Sequence, residues 1–161
     1  MLTPCRGHET ISHTKNAEMV RFSPMDEETV ISKIIDAAVR LHMDLGPGLL
    51  ESVYEMALAK SLERDSFVVQ RQVAVTFEYD GIRFEDAFRV DLLVEDRIVV
   101  ELKSVECLQP VHFKQVTTYI RLLDKPYGLL LNFGAAKMKD GIRRIINNKD
   151  ALASRGIMPE A

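Results

Sequence analysis

From Ala87 to Lys103 the chain alternates apolar and polar residues, with one parity on both sides of a tight turn at Glu95-Asp96. No other stretch restricts the fold as closely. Phe88, Val90, Leu92, Val94, Ile98, Val100 and Leu102 fall on even positions, while Arg89, Asp91, Arg97, Glu101 and Lys103 fall on odd ones. Side chains of a strand alternate between its two faces. This hairpin is therefore expected to bury its even residues and turn Asp91, Glu101 and Lys103 to the other face. A turn centred on Asp96 sets Asp91 opposite Glu101, with their Cβ atoms about 5 Å apart.

Opposed carboxylates repel, and a sheet that carries them needs something to offset the repulsion. A divalent cation does so, since Mg²⁺ takes hard oxygen ligands, often one or two carboxylates with water and a substrate phosphate. Lys103 beside the pair can stabilise developing negative charge or help to activate a water. The three together suit metal-assisted attack of water on a phosphodiester. The plainer alternative is three solvated charges on an open sheet face, with Asp91 paired to Lys103.

The remaining segments supply a frame. A helix is expected from Ser23-Pro24, with acids in its first turn and Val30, Ile31, Ile34, Ile35, Ala38, Leu41 and Leu45 at helical spacing. Gly46-Pro47-Gly48 stops it, and a second helix runs from Leu50 to Arg64, burying Val53, Tyr54, Ala57, Leu58, Ser61 and Leu62. Strands are expected over Phe67 to Tyr79, Ala87 to Val94 and Arg97 to Lys103, the first ending in a Tyr79-Asp80-Gly81 hairpin turn. A helix over Val111 to Leu123, a fully buried strand over Tyr127 to Asn132 and a last helix over Lys137 to Asn148 complete the order α-α-β-β-β-α-β-α. That is an α/β sandwich around one mixed sheet. The 161 residues make one domain over residues 23–150, with a disordered leader over 1–22 and a tail over 151–161.

Composition narrows the function classes. With 21 basic and 24 acidic residues, the formal net charge of −3 excludes a histone-like polybasic binder but not an enzyme with a local basic patch. Two cysteines, with no C-x-x-C or H-x-x-x-H pair, exclude a disulfide scaffold and argue against structural zinc. Apolar runs are too short to span a bilayer and no secretory segment is visible, so the cytoplasm is the expected location. Within the third helix, His112, Gln115 and Tyr119 share one polar face. Glu51 opens the second helix, where a first-turn glutamate favoured by the helix dipole is the ordinary reading. Lys137, Lys139, Arg143, Arg144 and Lys149 would form a basic face if the last segment is helical, while Arg71, Arg89, Arg97, His112 and Lys114 are further phosphate-contact candidates. His8, His13 and Cys107 read as idle.

These residues give the chain a family likeness. Gly48-Leu49-Leu50-Glu51-Ser52-Val53-Tyr54, Asp91, Glu101-Leu102-Lys103 and Gln115 to Tyr119 stand in the order of the PD-(D/E)XK nuclease superfamily, and the chain resembles its GxxExxY-protein branch over about residues 26–148. The resemblance implies a restriction-endonuclease-like core and a metal-dependent nuclease acting on nucleic acid, DNA before RNA. It implies that Asp91, Glu101 and Glu51 hold Mg²⁺ or Mn²⁺ and that Lys103 assists the water or the phosphate. Gln115 would position Lys103, and Tyr119 would contact the substrate backbone. One departure is Val90, where the family pattern has proline. The rival expectation is a catalytically silent binding module of the same fold. A homodimer or partner protein would supply target recognition in either case.

Overall fold

The structure, a computed structural model, describes residues 25–148. The expected leader over 1–22, the tail over 151–161, His8, His13 and Lys149 lie outside the described residues. The elements are α1 (Glu27–Leu45), α2 (Glu51–Arg64), β1 (Val69–Tyr79), β2 (Ile82–Val94), β3 (Ile98–Lys103), α3 (Pro110–Leu122), β4 (Tyr127–Asn132), α4 (Met138–Gly141) and β5 (Ile142–Ile146). Asp26 caps α1: its carboxylate accepts hydrogen bonds from the Thr29 amide and hydroxyl, each at 2.9 Å. No helix among the described residues is long and apolar enough to cross a membrane.

The five strands lie in the order β1-β2-β3-β4-β5. Neighbours run antiparallel except β3 and β4, which are parallel. A parallel pair needs a crossover, and α3 provides it. The α/β sandwich expected from the sequence is therefore the observed one, with α1 and α2 on one face of the sheet and α3 on the other. Under α1 and α2 lie Ile98, Val100 and Leu102 of β3 and Leu129 and Leu131 of β4. Under α3 lie Val99 and Leu130 with Val116 and Ile120 of the helix. The face toward which the odd residues turn is thus covered by α3 and is not the open sheet face of the plainer alternative. Helix α2 is turned relative to expectation, burying Glu55 and Ala59 while Val53 stands 42% exposed.

The register of the central hairpin is the predicted one, with Leu92 opposite Val100 and Val94 opposite Ile98. Its parity is not. Leu92 packs under α1 and α2, but Val90, two residues earlier, packs under α3. The partner strand behaves alike: Val69 packs on the first cluster and Val73 and Val75 on the second. Both strands of the outer hairpin therefore change face at the Gln72–Asp91 level. Gln72 has φ 50°, a left-handed value rare for a non-glycine residue inside a strand. It supplies the backbone turn that lets the hairpin cross.

The last expected helix is the main error. Only one turn, Met138–Gly141, is helical, and Ile142–Ile146 is an edge strand paired to β4. The spacing of Ile142, Ile145 and Ile146 fits a helix, but β-branched residues also suit a pleated strand, and β4 has an unpaired edge to fill. Ile142 and Ile145 accordingly pack on opposite faces of the sheet. Gly141 is required here, because a Cβ would meet the Asn132 carbonyl oxygen at 2.3 Å. In the helix first expected, Gly141→Ala would stabilise by about 1 kcal/mol. In the observed fold it should destabilise by roughly 1–3 kcal/mol, read as a lower midpoint in urea unfolding. An unchanged or higher midpoint would refute the close approach of Gly141 to β4.

Candidate active site

Glu51, Asp91, Glu101 and Lys103 meet at the end of β3 where β2 parts from it. Pairing of the two strands runs to Leu92 and Val100, and Asp91 is the next residue outward. There the Asp91 side chain takes over from the ladder: its Oδ2 accepts the Leu102 amide at 2.8 Å. Glu101 is only 3% exposed. Its Oε1 accepts a hydrogen bond from Lys103 Nζ at 2.7 Å, and its Oε2 is buried with no partner.

The electrostatics follow from this placement. Burial and then the charge of Asp91 push the Glu101 carboxyl from its ordinary 4.5 to about 7, more than the Lys103 ammonium can offset. Burial raises Asp91 as well, against the pull of the Leu102 amide and Lys103. Burial acts to lower the Lys103 ammonium, but the hydrogen bond to Glu101 and the charges of Glu101, Glu51 and Asp91 prevail and hold it above its ordinary range. Lys103 therefore holds its proton firmly and serves as a hydrogen-bond donor.

Glu51 is placed by the turn before α2. Tyr54, fully buried, donates its hydroxyl to the Gly46 carbonyl, accepts the Leu49 amide at 3.2 Å and stacks on Phe133 at 4.3 Å. This pins the Gly46-Pro47-Gly48 turn and starts α2 at a fixed point. Glu51 Oε1 then accepts the Ser104 amide at 3.0 Å, tying α2 to the loop after Lys103. The same loop is clamped from β4 by Asn132, whose amide exchanges hydrogen bonds with both backbone groups of Val105. A pocket lined by Leu49, Leu50, Glu51, Glu55, Gln72, Asp91 and Ser104 opens beside these groups.

The other expected residues divide. Tyr119 is only 7% exposed, stacks on Phe88 at 4.1 Å and feels the charges of Glu101, Lys103 and Asp91 at its hydroxyl. Gln115 donates to that hydroxyl at 2.6 Å; Lys103 is engaged with Glu101 instead. His112 completes the cap of α3, its Nδ1 accepting the Gln109 amide at 3.1 Å. The expected basic face is dispersed with the helix that was to carry it. Lys137 is the exposed residue before α4, and Arg143 donates to the Asp140 and Ile142 carbonyls. Arg144 pairs with Glu28 of α1 at 2.7 Å and lies 4.5 Å over the Tyr127 ring. Arg71, Arg89 and Arg97 pair with Glu55, Asp86 and Glu27. Lys114 is exposed on α3.

Sequence reasoning missed Glu55, Gln72 and Asn132. The spacing of Glu55, one helical turn after Glu51, was the available sign. Asn132 closes an otherwise apolar strand, which was another. Gln72 carried none.

Do these residues suit a divalent cation? Among the described residues no three or more His, Cys, Asp or Glu side chains already converge as a cage. Glu51 is occupied by Ser104, and Asp91 by Leu102 and Gln72. The Asp91–Glu101 pair does suit one: it offers hard oxygen donors, carries uncompensated repulsion, and leaves Glu101 Oε2 buried without a partner. The metal-free chain should show the cost. Between pH 4.5 and about 7 the folded state keeps a proton on Glu101 that the unfolded state has lost, so stability falls as pH rises through this window. In EDTA, Glu101→Gln should melt above the parent at pH 8, with the gap closing toward pH 5. A gap that ignores pH would show that Glu101 is not strained by its surroundings.

No curated protein matches the chain, and no solved structure does. A sequence model of the PD-(D/E)XK nuclease superfamily matches residues 28–145, which span every element from α1 into β5. The helix-flanked mixed sheet is consistent with the restriction-endonuclease-like fold, and the Asp91, Glu101 and Lys103 constellation sits at the end of its central strands. The chain belongs to the PD-(D/E)XK nuclease superfamily.

Proposed function

We propose that this protein is a divalent-metal-dependent nuclease that hydrolyses phosphodiester bonds in DNA. The observation that carries the reading is the buried, unpartnered Glu101 Oε2, set beside Asp91 and 2.7 Å from Lys103 through its other oxygen. Asp91 and Glu101 would hold Mg²⁺ or Mn²⁺, with Glu51 contributing from the start of α2. A cation bound there supplies charge neutralisation at the phosphate and a more acidic water.

The chain's own groups do the rest. Lys103 keeps its proton, so its ammonium donates to a non-bridging oxygen of the scissile phosphate and stabilises the charge that grows there. It is poorly suited to act as a base. Glu101, by accepting from Lys103, aims that ammonium; Asp91 is in turn aimed by the Leu102 amide. Gln115 acts through Tyr119, fixing the phenol so that its hydroxyl can meet the substrate backbone. The pocket beside Glu51 and Asp91 gives the strand room to enter. Lys137, Arg143, Arg144 and His112 have weaker support as substrate contacts, because three of them already serve the fold and Lys137 is a lone exposed residue before α4.

Cleavage of linear duplex, single-stranded and branched DNA, with an RNA control, tests the reading in Mg²⁺, Mn²⁺ and EDTA. Lys103→Ala should reduce metal-dependent cleavage by roughly 10²-fold or more while the thermal melt stays cooperative. Glu101→Gln should be equally inactive despite its higher metal-free stability. Activity in EDTA, or full activity in folded Lys103→Ala, would overturn the assignment. DNA binding without cleavage in any metal would favour the silent binding module.

A further inference from the structure

We infer that Gln72 is a positioning residue for the cation site, acting through both its backbone and its amide. The inference rests on the reading of Asp91 as a metal ligand. Gln72 stands at the level of Asp91 in the β1–β2 register, between the pairs Arg71–Leu92 and Val73–Val90. Its φ of 50° is the left-handed value at which the outer hairpin changes face. A regular strand there would keep Val69 and Val73 on one side; they lie on opposite sides. The crossing brings Asp91 to the gap between β2 and β3, where its carboxylate reaches the Leu102 amide.

The side chain adds a second constraint. Gln72 Nε2 donates to Glu55 Oε2 at 2.8 Å and to Asp91 Oδ1 at 3.3 Å. Glu55 is 5% exposed and is held on its other oxygen by Arg71 at 2.9 Å. Arg71, Glu55, Gln72 and Asp91 thus form a chain from α2 to the site. One amide bridging two carboxylates lets them approach without a second cation. Left-handed non-glycine backbone is retained only where the surroundings enforce it, and such residues cluster at functional sites.

The test separates backbone from amide. Gln72→Gly accepts the left-handed backbone at no steric cost and removes the amide. Gln72→Asn tolerates that backbone but is one methylene too short to bridge. Mn²⁺ affinity is measured by titration calorimetry on the full chain, with Asp91→Asn as the site control and thermal melts alongside. Both Gln72 variants should bind Mn²⁺ roughly tenfold more weakly than the parent. The melting temperature of Gln72→Gly should stay level or rise, a split that a purely structural role would not give. Parent-like Mn²⁺ affinity in either folded variant would overturn the inference and leave the metal-site reading standing. A parent that binds no Mn²⁺, or binds it equally well as Asp91→Asn, would overturn both.

Discussion

The repulsion between Asp91 and Glu101 is the constraint around which the site is organised. Two unit charges about 4 Å apart interact by roughly 4 kcal/mol at the effective dielectric of a protein surface, and burial removes water that would soften this. The fold opposes the repulsion with Lys103, the Leu102 amide and the Gln72 amide. It leaves Glu101 Oε2 without a partner, and burial first, then the charge of Asp91, raise the carboxyl to about 7. A chain under selection for stability alone would replace this pair with apolar residues. Its presence at the end of β3, beside the apolar centre of the sheet, fits the proposed cation site.

Much of the remaining structure serves to keep that pair in place. Tyr54 and Phe133 fix the turn that starts α2 and so place Glu51. Asn132 holds the loop after Lys103 from the neighbouring strand. Helix α3 covers the second face of the sheet and sets Tyr119 at the edge of the site. The tyrosine of the GxxExxY segment is therefore a structural support for its glutamate, and the motif works as one unit.

The sequence made the β2–β3 register readable because alternation and turn position together leave one pairing. It made Asp91, Glu101 and Lys103 readable for the same reason. The face change at Gln72 was hidden, since a single left-handed residue inverts parity without altering the residue types on either side. Strand β5 was hidden because Ile142, Ile145 and Ile146 stand at helical spacing and do not alternate, and the deciding facts, the open edge of β4 and a sheet covered on both faces, are tertiary. The loss of that helix also removes the expected basic face. Arg71, Arg89, Arg97 and Arg144 are each paired with a carboxylate. The pairs of Arg89, Arg97 and Arg144 lie on the surface and contribute about 0–1 kcal/mol, so exchanging their carboxylates for a phosphate is cheap, whereas Arg71 is held by the buried Glu55; among the described residues no preformed cationic track dominates.

The most direct measurement is a crystal structure of the protein soaked in Mn²⁺, with anomalous scattering used to locate the ion. An anomalous peak ligated by Glu101 Oε2 and the Asp91 carboxylate is expected, as is its loss in Glu101→Gln. A peak elsewhere, with Glu101 Oε2 still unpartnered or turned to a protein donor, would contradict the assignment of Asp91 and Glu101 as the cation's ligands.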